Sequence, residues 1–208
     1  MKSKTTLIIL AGGKSSRMGF PKGLLKHSST YWVLSQIKNY TEQEVYIGLG
    51  FDYQYYFEAI PWLKKAVESP QMFEQKKVNV VINQTPEFGL FSTLQAVLKV
   101  LNSTETNKNI LALPIDVPLL ESSELEKILS KENQIVIPIY NNKKGHPVKL
   151  ASTFWKSLLK LNVTDKKARL DLQIKKRNAS EITFIETNDA SILKNLNTPK
   201  EWQEFTTT

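Results

Sequence analysis

The stretch TTLIILAGGKSSRMGFPK, residues 5–22, decides the fold class and contains the first candidate site. It begins with an almost continuous run of aliphatic and β-branched residues and then enters a loop that starts with Gly12 and Gly13. Such a continuous run predicts a strand that is covered on both faces, as in the parallel sheets of α/β proteins. These sheets bind ligands at the carboxyl ends of their strands, so the loop over residues 12–21 is a candidate binding site. We call it the glycine loop.

Strand-like and helix-like segments alternate along the rest of the chain. Further strands are predicted at 44–49, 78–82, 109–113 and 134–139, with helices at 31–40, 91–101 and 122–129. After about residue 140 the pattern loosens, with helices predicted at 154–161 and 165–176 and a strand at 181–186. This alternation predicts a three-layer, doubly wound α/β fold around a mainly parallel sheet. No linker, repeat or low-complexity stretch interrupts it, so one domain over residues 1–208 is expected.

Composition limits the classes of protein that remain. The chain has 208 residues, 41% hydrophobic and 23% charged, which is typical of a globular protein. It contains 0 cysteines, which excludes disulfides, thiolate metal sites and cysteine nucleophiles. The apolar run after Met1–Lys4 is too short to cross a bilayer and has no cleavage pattern behind it, so a cytoplasmic protein without a membrane partner is expected.

The net charge of +8, from 28 Lys+Arg against 20 Asp+Glu, favours anionic partners. The lysines are scattered, without a long basic arm or interleaved aromatic residues, and this distribution does not favour nucleic acid. A solvated lysine-rich surface and a field that attracts phosphates remain equal explanations of the charge alone.

The glycine loop has the chemistry of a phosphate site. Glycines let a phosphate approach main-chain N–H groups, and hydroxyls and cations nearby can add donors. These additional donors are Lys14, Ser15, Ser16, Arg17 and Lys22. The loop matches neither the dinucleotide pattern G-x-G-x-x-G nor the Walker pattern G-x-x-x-x-G-K-[ST].

Residues 10–22 resemble the signature of the molybdenum-cofactor nucleotidyltransferases, MobA-like and MocA-like. More distantly, they are similar to the sugar-phosphate and methylerythritol-phosphate nucleotidyltransferases. The resemblance implies that the loop wraps an NTP triphosphate, with Arg17 and Lys22 neutralising charge on the α-phosphate and the departing pyrophosphate. The nucleotide-binding residues it implies here are Leu10, Ala11, Gly12, Gly13, Ser15, Ser16, Arg17 and Lys22.

A candidate metal ligand follows the fourth of the main strands. Asp116 ends the run LALPID, and burying an unpaired carboxylate there would be costly. Mg²⁺ bridging NTP phosphates would give it a partner, since magnesium takes one or two protein carboxylates in such sites. The stretch resembles the family's D-x-P-x-[LIV] motif, which makes Asp116 a metal ligand and the third catalytic residue. The alternative is an aspartate that caps the helix starting near Glu121.

Near the end of the chain, residues 195–202 resemble the family's [DN]-[IVL]-[DN]-T-P-x-[DE] element. The resemblance makes Asn197 the second metal ligand, through an amide oxygen in place of the carboxylate. Thr198 and Pro199 also read as a helix start, with threonine as the cap and proline at the first helical position. The two interpretations are compatible.

Three further segments are assigned by resemblance to the substrates. Residues 83–94 resemble a loop that lies over the nucleotide, implicating Asn83 and Ser92, although ordinary turn chemistry explains it equally well. The G-H-P-V run at 145–148 resembles a segment that borders the acceptor pocket, which makes His146 an acceptor contact; its alternative is a hydrogen-bonded structural histidine. Arg169 occupies a position where a basic residue can hold the acceptor phosphate.

The signature contains one departure, because Ser28 and Ser29 lie where relatives have a glycine. The first loop looks guanylyl-like, whereas the G-H-P-V run looks cytidylyl-like, so both CTP and GTP remain candidates.

Together these features predict Mg²⁺-dependent transfer of a nucleoside monophosphate from an NTP to a phosphorylated small molecule, with release of pyrophosphate. By resemblance the acceptor is molybdopterin, and a transient contact with a molybdoenzyme or a cofactor-insertion protein is implied. A sugar or alditol phosphate is the alternative acceptor. A non-catalytic protein that binds nucleotide or nucleic acid is the alternative of another class.

Overall fold

The computed structural model describes residues 4–104 and 107–207 of the chain. Residues 1–3 lie outside this part, and with them the start of the N-terminal segment that was predicted to have neither a membrane span nor a cleavage pattern. The strands are β1 Thr5–Ala11, β2 Lys26–His27, β3 Thr30–Tyr31, β4 Glu44–Leu49, β5 Gln71–Phe73, β6 Lys76–Ile82, β7 Asn109–Pro114, β8 Ile135–Tyr140, β9 Lys143–Lys144, β10 Val148–Leu150 and β11 Ile182–Glu186. The helices are α1 Trp32–Asn39, α2 Tyr53–Ala59, α3 Trp62–Glu68, α4 Leu90–Ser103, α5 Ser122–Leu129, α6 Ser152–Leu158, α7 Leu170–Lys175 and α8 Pro199–Thr206.

A large sheet with the strand order β11-β8-β10-β7-β1-β4-β6-β5 forms the centre of the fold. The strands with continuous apolar runs lie in its middle, where β1 pairs in parallel with β4 and β7, and β4 pairs in parallel with β6. All residues of β1 are buried, as its sequence predicts. The doubly wound α/β class is confirmed. Antiparallel strands are added to it: β10 separates β7 from β8 and runs opposite to both, and β5 forms an antiparallel edge.

Helices cover both faces of the sheet, which gives the three layers. Leu7 and Ile9 of β1 point into a core shared with α1, α2, α3 and α5. Ile8 and Leu10 point into the opposite core, shared with α4, α6 and α7. Because side chains alternate along a strand, a continuous apolar run is what two separate cores require. None of the described helices has the length and apolarity needed to cross a membrane.

The topology gathers several loops at one edge of the sheet. The parallel strands β1, β4, β6 and β7 all end there, so the segments after Ala11, Leu49, Ile82 and Pro114 are neighbours. Strand β10 runs the other way, with Val148 paired to Ala112, so residues 145–147 before it reach the same edge. Four predicted site segments therefore meet at this edge.

One predicted helix is wrong in extent. The sequence predicts a helix over 165–176, whereas α7 begins only at Leu170. The side-chain oxygens of Asn162 and Asp165 accept hydrogen bonds from the N–H groups of Thr164 and Lys167. These local bonds stabilise turns in place of the first helical turns.

Candidate active site

The glycine loop starts in a confined space. A side chain at Gly12 would overlap with the hydroxyl group of Thr93 on α4. A Cβ at Gly50 would lie 2.6 Å from the carbonyl oxygen of Gly12, which also accepts a hydrogen bond from the N–H of Phe51 at 3.1 Å. Gly13, in contrast, has no heavy atom within 4 Å of the position a Cβ would take. One side of the loop is therefore packed on the fold, and the other leaves main chain open to a ligand.

The rest of the loop is folded on Ser15. The N–H groups of Met18 and Gly19 donate to the Ser15 carbonyl at 2.9 and 3.1 Å, and the Ser15 hydroxyl accepts from the N–H of Lys22 at 3.3 Å. Met18 is buried, while Ser16 and Arg17 are exposed. The loop thus anchors one apolar side chain and presents the arginine to solvent. Directly after Lys22, the N–H of Gly23 donates to the hydroxyl of the buried Tyr56 at 3.2 Å.

The side chains of Lys22, Asp116 and Asn197 meet at one place. The Lys22 Nζ donates to Asp116 Oδ2 at 3.0 Å and to Asn197 Oδ1 at 2.6 Å. We call the position of this nitrogen the cation point. Asp116 and Asn197 follow Lys22 by 94 and 175 positions in sequence. The side chains of Lys22 and Asp116 are only 12% and 22% exposed. Asp116 does not cap α5, whose N-cap residue is Glu121.

The cation point has the donor chemistry of a magnesium site. Two oxygens, one from a carboxylate and one from an amide, converge on a positive charge, and oxygen ligands are what Mg²⁺ requires. Within residues 4–104 and 107–207, no group of three or more His, Cys, Asp or Glu residues could hold a metal. An ion at this place would therefore need phosphate oxygens or water to complete its coordination. The residues present fit such a shared site.

The loop that contains Asp116 is held by α1 and β1. Trp32 Nε1 donates to the carbonyl oxygen of Ile115 at 2.7 Å, and the N–H of Ile115 donates to Leu10 at 3.1 Å. Gln36 forms two bonds to the same loop, from Nε2 to the Val117 carbonyl at 2.7 Å and from the Leu119 N–H to Oε1 at 2.9 Å. These supports from Trp32 and Gln36 were not predicted from the sequence. The signal was a glutamine on the buried face of an amphipathic helix.

The segment that contains Asn197 is held from two sides. The N–H of Leu196 donates to the Asp116 carbonyl at 2.8 Å, and Asn197 Nδ2 donates to Asn195, which directs Oδ1 towards Lys22. The Glu201 carboxylate accepts from the N–H groups of Asn197 and Thr198, both at 2.9 Å. The Thr198 side chain and these N–H groups lower the pKa of Glu201, and the charge of Arg17 contributes.

Thr198 is the N-cap of α8 and Pro199 its first residue, which confirms the predicted helix start.

The predicted nucleotide contacts Asn83 and Ser92 bond to each other. Asn83 Nδ2 donates to the hydroxyls of Ser92 and Thr93 at 2.8 and 3.1 Å, and Asn83 Oδ1 accepts from the Thr85 N–H at 3.0 Å. The Ser92 hydroxyl in turn donates towards the carbonyls of Thr85 and Gly89. These side chains fix the shape of the loop after β6. Direct contact of either with a nucleotide stays a prediction.

A large cavity of about 550 Å³ opens on the α4 face of the sheet, and Leu10 near the end of β1 is among its lining residues. Its lining is mostly apolar, with Leu10, Phe88, Leu90, Phe91, Leu94, Ala112, Ile137, Val148, Ala168, Leu170 and Ile174 among its residues. Its charged and titratable residues are Lys144, His146, Arg169, Asp171 and Lys175. Both predicted acceptor contacts, His146 and Arg169, thus line the same cavity. Lys144 and Lys175 were not predicted, because surface lysines look alike in sequence.

His146 and Arg169 differ in burial and in their hydrogen-bond partners. Burial lowers the pKa of His146, against opposing effects from the charge of Asp116 and the Ala112 backbone, so the ring is neutral at pH 7. Its Nδ1 is buried and makes no hydrogen bond within the described part of the chain. Arg169 forms two hydrogen bonds with Asp171, at 3.0 and 3.1 Å, in an exposed pair. An acceptor phosphate would have to compete with this aspartate for the arginine.

Residues 7–178 match the model of a family described as "MobA-like NTP transferase domain". No curated protein sequence matches the chain.

Among solved structures, the fold is similar to that of Rv0371c from Mycobacterium tuberculosis H37Rv, with a TM-score of 0.73, 17% identity and 100% of both chains covered. A manganese complex of Rv0371c gives a TM-score of 0.68 at 16% identity, covering 99% of this chain and 100% of that one. Molybdopterin-guanine dinucleotide biosynthesis protein A from Archaeoglobus fulgidus gives 0.65 at 12% identity, with 96% of each chain covered. These structural likenesses show the fold.

Proposed function

The chain belongs to the MobA-like NTP transferase family and is a nucleotidyltransferase, and we propose that it moves a nucleoside monophosphate from CTP or GTP to the phosphate of molybdopterin with the help of Mg²⁺. The observation that supports this most is the cation point, where oxygens of Asp116 and Asn197 converge on Lys22, the residue that directly follows the glycine loop. Nucleotide binding alone would not need such a carboxylate next to the phosphate loop.

In this proposal Asp116 and Asn197 hold the magnesium ion. Rv0371c, a protein of similar fold, has been solved in complex with manganese, which is consistent with use of a divalent cation. When bound, the ion supplies positive charge to the NTP phosphates. An NTP triphosphate would supply further oxygen ligands, so bound nucleotide would strengthen the binding of the metal.

The protein's part in the reaction is positioning and charge stabilisation. A phosphate oxygen of the acceptor attacks the α-phosphorus, a new P–O bond forms, and the bond to the β-phosphate oxygen breaks, so that pyrophosphate leaves. The acceptor phosphate is already ionised at neutral pH, so no protein nucleophile is required. Lys22 and Arg17 stabilise the negative charge that moves onto the pyrophosphate, and the glycine-loop N–H groups contribute.

The large cavity supplies the acceptor site in this proposal. Phe88 and Phe91 belong to its mostly apolar lining, which suits a flat ring system better than a sugar, most of whose hydroxyls would face apolar side chains. Lys144, Arg169 and Lys175 outnumber the single acid Asp171, so the lining favours an anionic group. We therefore favour molybdopterin over a sugar or alditol phosphate.

The test is a pyrophosphate-release assay with each of the four NTPs and Mg²⁺, against molybdopterin and a panel of sugar phosphates. Turnover with one NTP and molybdopterin is the expected result. The variant Asp116→Asn should lose about a hundredfold or more in rate. Asp189→Asn is the matched control, since the Asp189 side chain accepts one hydrogen bond, from the N–H of Ser191, and does not bond to Lys22 or Asn197.

Turnover with a sugar phosphate but not with molybdopterin would show that the acceptor is a sugar phosphate. Wild-type rates in Asp116→Asn would remove its metal role. Binding of Mg-NTP without any release of pyrophosphate would favour a nucleotide-binding protein.

A further inference from the structure

The indole of Trp32 contacts both segments that form the cation point. Its Nε1 donates to the carbonyl oxygen of Ile115, the residue before Asp116, at 2.7 Å. Its ring packs edge-on against Trp202 and Phe205, with ring centroids 5.4 Å apart in both pairs. Both aromatic residues belong to α8, the helix that begins directly after Asn197 and Thr198.

This arrangement gives Trp32 two different kinds of contact. On one side it fixes the main chain beside Asp116 through a hydrogen bond, and on the other it fixes α8 through aromatic packing. Trp32 is itself held firmly, because it is the first residue of α1, is only 3% exposed and packs against His27 at 5.1 Å. A rigid side chain between two loops sets the separation of the groups those loops contain.

Other contacts also join the two ligand segments, since Leu196 is only 3% exposed and lies in the same core as Ile115 and Val117. The N–H of Leu196 donates to the Asp116 carbonyl at 2.8 Å, and Lys22 bridges the side-chain oxygens of Asp116 and Asn197. The lysine bridge cannot set the separation once a metal takes its place. No residue of α8 is buried, so the helix depends on its aromatic contacts for its position.

We propose that Trp32 is a positioning residue that sets the distance between the Asp116 and Asn197 oxygens and so determines the affinity of the nucleotide-bound protein for a divalent metal. The proposal rests on the proposed function, in which these two oxygens are the metal ligands. Trp32 touches neither the metal nor the nucleotide. It acts through the Ile115 carbonyl and through α8.

The decisive variant is Trp32→Phe, which keeps an aromatic ring but removes the Nε1 donor. Trp155→Phe is the matched control. Trp155 is also buried, and its Nε1 donates to the Lys108 carbonyl at 3.0 Å, but it lies in the opposite core. Both variants lose one indole hydrogen bond, so a general loss of stability should affect them alike. Only Trp32→Phe should affect the metal.

The measurement is Mn²⁺ binding to the full chain in the presence of a non-hydrolysable NTP analogue, followed by the EPR signal of free Mn²⁺. We expect the Kd for Mn²⁺ to rise about tenfold or more in Trp32→Phe, the usual effect of losing an outer-shell partner. It should stay at the wild-type value in Trp155→Phe. The Mg²⁺ concentration for half-maximal turnover should rise in parallel, while the KM for the NTP at saturating Mg²⁺ stays the same.

Three results would overturn the proposal. A folded Trp32→Phe with wild-type Mn²⁺ affinity would show that the indole does not set the ligands. An equal loss in Trp155→Phe would assign the effect to stability in general. Wild-type protein that binds the nucleotide analogue but no Mn²⁺ would remove the metal site of the proposed function, and with it this proposal.

If Trp32→Phe does not fold, Trp202→Leu tests the same link from the α8 side. Trp202 is only partly buried, so its replacement should spare the fold. A raised Mn²⁺ Kd supports the proposal, and an unchanged one contradicts it.

Discussion

Removing the Lys22 ammonium should strengthen metal binding and weaken catalysis at the same time. In the absence of ligands Lys22 Nζ occupies the cation point, bonded to both proposed metal ligands. A divalent ion must displace it to reach the two oxygens. The variant Lys22→Met keeps the length and apolar stem of the side chain and leaves the cation point free. Nucleotide-free Lys22→Met should therefore bind Mn²⁺ more tightly than the wild type.

The size of the effect follows from the two bonds that the metal would otherwise have to break. A hydrogen bond to a charged group contributes about 1.5–3 kcal/mol, and an exposed ion pair about 0–1 kcal/mol. The Lys22–Asp116 pair lies between these cases, since its side chains are 12% and 22% exposed. Freeing the ligands should thus be worth about 1–2 kcal/mol, which is about a five- to thirtyfold gain in Mn²⁺ affinity. Turnover should fall about a hundredfold or more, because the transition state loses a cation.

Titration of nucleotide-free protein with Mn²⁺, read from free-ion EPR, measures the first effect, and pyrophosphate release measures the second. Lys14→Met is the control, because the Lys14 ammonium lies over the Phe51 ring, 4.8 Å from its centroid, and does not bond to Asp116. Its Mn²⁺ affinity should equal that of the wild type. Unchanged Mn²⁺ affinity in Lys22→Met would refute the idea that the lysine and the metal compete. Undiminished turnover would refute its catalytic role.

Three further predictions follow from contacts around the site. Gly12→Ala should abolish turnover, because its methyl group would overlap with the Thr93 hydroxyl, and the double variant Gly12→Ala/Thr93→Ala should recover part of it; no recovery would point to a different reason for the glycine. Burial lowers the pKa of His146 in the folded protein. Below the ordinary histidine pKa near 6.5, the unfolded chain therefore binds more protons than the folded one. The free energy of unfolding should then fall as the pH drops from 7 to 5. Thermal unfolding should show a smaller fall in His146→Gln, and an identical fall would contradict this origin. Glu201→Gln should raise the Mg²⁺ concentration for half-maximal turnover, because the N–H of Asn197 loses its charged acceptor. If only the melting temperature changed, the role of Glu201 would be to cap α8 and not to position Asn197.

The parts of the fold that the sequence predicts are those with a strong local signal. The central strands were predicted to within a few residues, because a strand between two cores must be apolar on both faces. The bounds of β4 and α5 agree fully with the prediction. Strand β10 has three residues and no such signal, and its place between β7 and β8 depends on pairing partners distant in sequence. The aromatic segment 53–57 showed no clear helical period, and α2 was missed.

The candidate site divides in the same way. The loop after β1 and Asp116 after β7 could be predicted to meet, since their strands are parallel neighbours. The prediction of Asn197 depended on the family resemblance, because contacts between residues distant in sequence, such as the bond from the Leu196 N–H to the Asp116 carbonyl, bring it to Lys22. The support from Trp32 and Gln36 was not predicted; a glutamine on the buried face of a helix indicates a hydrogen bond to another segment, but it does not indicate which one. Sequence also could not show that Asn83 and Ser92 bond to each other.

The weak attachment of α8 has a consequence for how the protein responds to heat. This helix has no fully buried residue and packs on the fold through partly buried aromatic side chains, whereas strand β1, which leads into the glycine loop, is buried at both faces. Segments with few buried contacts open at lower free energy than the core. On warming, α8 should detach first and take Asn197 away from Lys22 and Asp116 while the sheet is still folded. Heat inactivation should then precede the loss of far-UV circular dichroism and be reversible on cooling over that interval.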